Sequence, residues 1–177
     1  MPVDPAKPHL PVFTLEDGNS FYASCEKAFR PDIAHRPVVV LSNNDGCVVA
    51  RSAEAKALGI SMGVPLFQIR QAIRKHGILV FSSNYELYAD MSARMMAAIA
   101  SLTPRIEVYS IDECFADLTG IAELQQLGTL IRRRVYKWTR ITTCVGIGHS
   151  KVQAKLANHI AKKNPAWSGV CNLVDME

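Results

Sequence analysis

Residues 12–29, VFTLEDGNSFYASCEKAF, decide the fold class, because within a few residues the pattern changes from that of a strand to that of a helix. Val12 to Leu15 form a short apolar run typical of a strand, and Asn19 is a common helix N-cap residue. The apolar side chains after Asn19 recur at helical spacing. The segment therefore predicts a β-α unit with Asp17 at the end of its strand.

Strand and helix patterns continue to the C-terminus, and residues 30–82 form an insertion with strands and helices of its own. Without the insertion, the predicted elements are strands at 12–15, 106–111, 114–118, 142–147 and 170–174 and helices at 19–29, 83–103, 122–138 and 150–163. If the helices at 19–29 and 83–103 count as one crossover and the count stops at the strand 142–147, the order of elements is the ferredoxin-like β-α-β-β-α-β. We therefore predict an α+β fold (mixed α/β), with a discontinuous domain at 1–29 and 83–177 and a small α/β subdomain at 30–82.

This strand order brings distant acidic residues together. In a ferredoxin-like sheet the first two strands are parallel and joined by a right-handed crossover, so Asp17 should lie at the same edge as Asp112 and Glu113. Three neighbouring carboxylates repel one another and need protons or cations to compensate, and oxygen ligands select Mg²⁺ or Mn²⁺ over zinc. The alternative is that Asp112 and Glu113 form a plain polar turn and Asp17 only precedes a helix.

The composition is that of a globular protein, with 177 residues, 49% hydrophobic residues and a net charge of +4. Between Leu124 and Val174 there are nine basic residues and no acidic ones, so this third of the chain should face a polyanion such as nucleic acid or nucleotide phosphate. A solvated helix face is the alternative. The five cysteines form no C-x-x-C pair, which predicts reduced thiols in a cytosolic protein.

Lysines of the helix at 150–163 form one stripe on a helical wheel, and the large apolar residues form the neighbouring stripe. The lysine stripe contains Lys151, Lys155 and Lys162, and the apolar stripe contains Val152, Leu156 and Ile160. We therefore predict a helix that packs through its apolar stripe and directs its lysines along the adjoining side.

Four segments together resemble Y-family translesion DNA polymerases, most closely the bacterial UmuC-type catalytic subunit. They are DGNSFYASCE at 17–26, PVVVLSNNDGC at 37–47, YSIDE at 109–113 and GIGHSKVQAKLA at 146–157. The resemblance runs from about residue 12 to the C-terminus and implies a palm at 1–29 and 83–177, with fingers at 30–82. Glu16 departs from the family pattern, and its side chain should point away from that of Asp17 if the strand reaches it.

The resemblance also implies roles for individual residues. Asp17, Asp112 and Glu113, with the Gly18 carbonyl, would hold two Mg²⁺ ions, for which Mn²⁺ can substitute. Tyr22 would be the steric gate against a ribose 2′-OH, and Phe21 would pack beside the nucleotide, although helix packing is an open alternative for both. The remaining implied contacts are Lys155 and Lys56 with the triphosphate, Ser110 beside Asp112, and Lys151 and Lys162 with DNA.

The implied function is template-directed transfer of dNTPs to a primer 3′-OH, in the SOS damage tolerance of a bacterial cytoplasm. The implied partners are primer–template DNA and dNTP, with accessory polymerase subunits and a sliding clamp bound through a part beyond Glu177. Because the thumb and little finger of the family are absent, we expect a truncated product or fragment with weak, salt-sensitive DNA binding and little activity. The alternative is an inactive DNA- or partner-binding module that retains the fold.

Overall fold

The computed structural model describes residues 10–176 and forms two compact units. Of the described residues, the first unit contains 10–18, Met95–Trp138 and 143–176, and the second contains Asn19–Arg94 and Thr139–Thr142. Within the described residues, no helix has the length and apolar character needed to cross a membrane. The palm and fingers boundaries drawn from the sequence stay a prediction.

The secondary-structure elements alternate along the chain. In order they are β1 (Phe13–Gly18), α1 (Phe21–Ala28), β2 (Val38–Leu41), β3 (Val48–Arg51), α2 (Ala53–Ala57), α3 (Leu66–His76), β4 (Leu79–Phe81), α4 (Tyr85–Ala100), β5 (Arg105–Val108), β6 (Glu113–Asp117), α5 (Leu124–Thr139), β7 (Thr143–Gly148), α6 (Lys151–Lys163) and β8 (Val170–Asn172). Short 3₁₀ turns occupy Pro31–Ile33, Pro165–Trp167 and Val174–Met176.

The first unit contains a five-stranded sheet in the order β5-β6-β1-β7-β8. β6 is antiparallel to both β1 and β5, so β1 and β5 run in the same direction, as the ferredoxin-like order requires. β7 lies antiparallel on the other side of β1, and β8 extends the sheet parallel to β7. The predicted fold class is therefore confirmed.

Helix α6 lies very close to β7 because Gly146 has no side chain. A Cβ at Gly146 would overlap the backbone nitrogen of Asn158 and the carbonyl oxygen of Ala154. The buried face of α6 is accordingly built from its small residues and one amide, namely Ala154, Ala157, Asn158 and Ala161. The Asn158 amide donates hydrogen bonds to the Leu15 and Cys144 carbonyls, at 3.0 and 2.8 Å, which ties the helix to β1 and β7.

The prediction that α6 packs through Val152, Leu156 and Ile160 is wrong. Val152 is 81% exposed and Leu156 56% exposed, while Ile160 is only partly buried. The close approach at Gly146 selects side chains by volume, so alanines face the sheet and the larger apolar residues point outward. The lysine stripe beside the buried face is nevertheless correctly predicted as a side of the helix that points away from the core.

The second unit has its own sheet, in the order β3-β2-β4, with β2 antiparallel to β3 and parallel to β4. All four residues of β2 are buried. The apolar core of the second unit comprises Val39, Leu41, Val48, Ala55, Ile60, Ile69 and Ile78.

The start of α1 differs from the prediction that Asn19 is its N-cap. Ser20 occupies the N-cap position, in the left-handed backbone region at φ 48°, and its side chain makes no capping hydrogen bond. The Asn19 carbonyl instead accepts a hydrogen bond from the Ser24 hydroxyl at 2.7 Å. The N-cap therefore lies one residue later than the sequence pattern predicts, and α1 begins at Phe21.

Candidate functional site

The three predicted acidic residues lie at one edge of the five-stranded sheet. Asp17 near the end of β1 stands directly opposite Glu113 at the start of β6. The backbone N–H of Gly18 donates to the carbonyl of Asp112 at 2.8 Å, which holds the connection between β5 and β6 against β1. Because directly opposed residues of an antiparallel pair point to the same face, the side chains of Asp17 and Glu113 are neighbours.

Lysines of α6 compensate part of the negative charge at this edge. Asp17 is only 8% exposed, and its Oδ2 accepts a hydrogen bond from Lys162 Nζ. Lys155 Nζ lies 3.9 Å from Glu113 Oε1 and 4.6 Å from the centre of the Tyr109 ring. Burial raises the pKa of Asp17, Lys162 opposes the rise, and the charges of Asp112 and Glu113 add to it. Asp17 thus combines burial with two like charges nearby, and Lys162 offsets only part of their effect.

Ser110 shapes the turn that carries two of these acidic residues. Its hydroxyl donates to Asp112 Oδ1 at 2.9 Å and accepts from the backbone N–H of Glu113 at 3.1 Å. These bonds fix the Asp112 side chain beside the strand end. Ser110 therefore contacts Asp112 directly, while its place in a nucleotide site stays a prediction.

The donor chemistry of this edge suits a hard divalent cation. Two aspartates and a glutamate offer only oxygen ligands, the type that Mg²⁺ and Mn²⁺ prefer. Within residues 10–176, however, no three His, Cys, Asp or Glu side chains converge on one point. Asp17 is turned toward Lys162 and Asp112 toward Ser110, so protein groups satisfy the carboxylates in this arrangement.

Glu16 lies on the other face of β1, as the strand alternation predicts. It is fully buried, and it accepts hydrogen bonds from the Thr14 hydroxyl and, at 3.4 Å, from the Cys114 thiol. Burial raises the pKa of Glu16 to about 7, despite these hydrogen bonds. Glu16 and Asp17 are therefore two carboxylates in different environments.

The predicted nucleotide contacts Phe21, Tyr22 and Lys56 belong to the second unit. Phe21 is 4% exposed, and the half-buried Tyr22 stacks on Tyr88, with ring centres 4.3 Å apart and planes 14° apart. Lys56 is exposed on α2, and its ammonium donates to the Ser20 hydroxyl at 2.9 Å.

Sequence reasoning missed two features of these sites. Tyr85 and Tyr88 lie three residues apart at the start of α4, a spacing that places both on one side of the helix and could have indicated an aromatic cluster. The contact between Lys162 and Asp17 has no sequence signal, because 145 residues separate the partners. Lys151, predicted like Lys162 as a DNA contact, forms an ion pair with Glu107 at 2.5 Å.

Comparison with known proteins identifies relatives over most of the chain. Residues 17–159 match the impB/mucB/samB family. Protein UmuC of Salmonella typhimurium is 58% identical over 155 residues, which are 86% of this chain and 37% of that protein. Protein ImpB of the same organism is 55% identical over 165 residues, 92% of this chain and 39% of that protein. DNA polymerase IV of Dehalococcoides mccartyi is 32% identical over 154 residues, 84% of this chain and 39% of that protein.

Solved structures, including that of a DNA polymerase, share the fold of this chain. DinB from Sulfolobus solfataricus superposes with a TM-score of 0.78 at 26% identity, covering 91% of this chain and 48% of DinB. An insertion ternary complex of Dbh DNA polymerase gives a TM-score of 0.79 at 26% identity, with the same coverage. The chain thus spans less than half the length of the relatives it matches. It belongs to the impB/mucB/samB family, and the resemblance to UmuC-type Y-family polymerases carried by its motifs is confirmed.

Proposed function

We propose that this chain contributes the palm and fingers of a translesion DNA polymerase, with the palm at 1–29 and 83–177 and the fingers at 30–82. The reaction is attack of a primer 3′-OH on the α-phosphate of a dNTP, with release of pyrophosphate. The observation that carries the proposal is the group of Asp17, Asp112 and Glu113 at one sheet edge. The names of the relatives, UmuC and DNA polymerase IV, support it.

Asp17, Asp112 and Glu113, with the Gly18 carbonyl, would hold two Mg²⁺ ions. Bound there, the ions would supply Lewis-acid charge for the attacking and leaving oxygens. Ser110 orients Asp112 through its hydroxyl. Lys155 lies beside Glu113, where its ammonium can bind the negative charge of a triphosphate as a point charge.

In the second unit, Tyr22 would exclude a ribose 2′-OH and Phe21 would pack beside the nucleotide. Phe21 is buried and Tyr22 is half-buried, so Tyr22 offers the more accessible of the two rings. Lys56 is exposed on α2 and would bind the triphosphate.

Lys151 and Lys162 would contact DNA by exchanging their carboxylate partners for backbone phosphates. Such contacts weaken as salt rises, because phosphate binding releases counterions from DNA. DNA synthesis would also need the parts of the relatives that this chain does not cover, together with accessory subunits and a sliding clamp. It would take place in the bacterial cytoplasm, during SOS damage tolerance.

Binding of Mn²⁺ and dATP to the purified chain, measured by titration calorimetry, tests the proposal. We expect Asp112→Ala to weaken Mn²⁺-dependent nucleotide binding at least about tenfold, because a ligand of the ion is lost. Asp90→Ala removes an equal charge from an exposed aspartate of α4 and should bind like the wild type. Equal binding by Asp112→Ala and the wild type would contradict the proposal and favour a binding module.

A further inference from the structure

Three tyrosines of the second unit pack against one another, and we call Tyr22, Tyr85 and Tyr88 the tyrosine cluster. The Tyr22 and Tyr88 rings are stacked, with centres 4.3 Å apart. Tyr85 meets both rings edge-on, at 6.1 Å from Tyr22 and 6.2 Å from Tyr88. Stacked and edge-to-face pairs are the favoured arrangements of aromatic rings, so the cluster has a defined geometry.

Tyr88 is the anchored member of the cluster. It is fully buried, and its hydroxyl donates to Glu26 Oε1 at 2.7 Å. Burial and the hydrogen bond to Glu26 raise the pKa of Tyr88, so the hydroxyl remains a donor at neutral pH. Glu26 follows Tyr22 by one helical turn on α1, at the i+4 position. Helix α1 therefore carries both Tyr22 and the Glu26 carboxylate that holds Tyr88, the ring on which Tyr22 stacks.

We propose that Tyr88, held by Glu26, is a positioning residue that fixes the orientation of the Tyr22 ring and thereby sets the preference for deoxyribose over ribose nucleotides. The inference rests on the role proposed for Tyr22. Steric exclusion of a single hydroxyl depends on ring placement within about 1 Å, and a stacked ring cannot rotate without losing its contact. Tyr88 itself touches no substrate, and it acts only through Tyr22.

The first measurement is the ratio of the dissociation constants for ATP and dATP in the presence of Mn²⁺. We expect Tyr22→Ala to bring this ratio close to 1. Tyr88→Leu removes the stacked ring and should lower the ratio about threefold to tenfold, while Tyr88→Phe keeps the ring and should lower it less. Tyr136→Leu, at a 46% exposed tyrosine of α5, is the matched control and should leave the ratio unchanged.

The second measurement follows the Tyr22 ring directly, by NMR of the chain with labelled tyrosine. A stacked neighbour shifts ring protons through its ring current, so Tyr88→Leu should move the Tyr22 signals and Tyr88→Phe should largely preserve them. Glu26→Ala should broaden or shift the same signals, and Glu26→Gln, which keeps an acceptor oxygen, should restore them. A purely structural role of Tyr88 would change the melting temperature without changing the sugar ratio.

The outcomes separate the two proposals. If Tyr22→Ala keeps the wild-type sugar ratio, Tyr22 is not the gate, and the inference about Tyr88 falls with it. If Tyr22→Ala lowers the ratio but folded Tyr88→Leu does not, only the positioning role is overturned. Should Tyr88→Leu fail to fold, Glu26→Ala decides, since an unchanged sugar ratio together with unchanged Tyr22 signals in that variant also overturns the positioning role.

Discussion

The acidic edge of the first unit and the tyrosine cluster of the second are built on different physical principles. Asp17 and its neighbours Asp112 and Glu113 are like charges, which two lysine ammonium groups partly neutralise. The tyrosine cluster is held by ring packing and by the hydrogen bond from Tyr88 to Glu26. The contacts of the charged edge should therefore respond to changes in charge, whereas the ring arrangement of the cluster should not.

This comparison predicts different responses to solution conditions. Charge compensation changes with pH, salt and added cations, because each alters the charges or screens them. Packing among uncharged rings depends little on salt. Changes at the acidic edge should therefore be detected by titration, and changes in the cluster by ring geometry and sugar selection.

The largest expected effect is that of Gly146→Ala, which tests whether the acidic edge depends on the close packing of α6. The added Cβ would overlap backbone atoms of Asn158 and Ala154, which cannot move without displacing the helix that carries the lysines. We expect the free energy of unfolding to fall by about 4 kcal/mol or more in urea denaturation, because the overlap is with backbone atoms and not with flexible side chains. Gly46→Ala is the control, because a Cβ there meets only the Asn44 side chain at 3.1 Å. Equal stability of the two variants would contradict the packing argument.

The pH dependence of Glu16 gives the next effect and compares the two faces of β1. The pKa of Glu16 is about 7 in the folded chain against an ordinary value of 4.5, so the unfolded chain loses this proton first as the pH rises. Stability should therefore decrease by about 3 kcal/mol between pH 4.5 and 7 and level off above that range.

Glu16→Gln should remove this pH dependence and be more stable than the wild type at pH 8, as measured by urea unfolding across the range. Glu86→Gln, at an exposed glutamate of α4, should retain the wild-type dependence. A wild-type pH profile in Glu16→Gln would show that another group carries the effect.

Lys162→Met gives the smallest of the three effects and tests charge compensation itself. Loss of the ammonium leaves the buried Asp17 carboxylate without its donor and should lower the free energy of unfolding by about 2 kcal/mol at pH 7. Added Mn²⁺ should reduce the loss, since a divalent cation would supply the missing charge. Lys163→Met, the exposed neighbour, should remain close to the wild type, and equal losses for both lysines would refute the assigned partner.

The fold and the acidic edge were predictable because they follow from local patterns and handedness. Strand and helix periodicity gave the β-α-β-β-α-β order, and the right-handed crossover placed Asp17 beside Asp112 and Glu113. The packing face of α6 was not predictable from hydrophobicity, because the approach at Gly146 favours small side chains over large apolar ones.

The amino-acid sequence by itself determined the family, the order of elements and the edge at which the acidic residues meet, since motifs and chain handedness are properties of the chain alone. Only the tertiary structure decided which groups the functional side chains contact. Lys162 contacts Asp17, Tyr88 stacks on Tyr22, and Glu26 accepts the hydrogen bond of Tyr88. Lys162 and Asp17 lie 145 residues apart along the chain, and Tyr88 and Glu26 lie 62 residues apart. Contacts of this range depend on how whole elements pack, which no local pattern encodes.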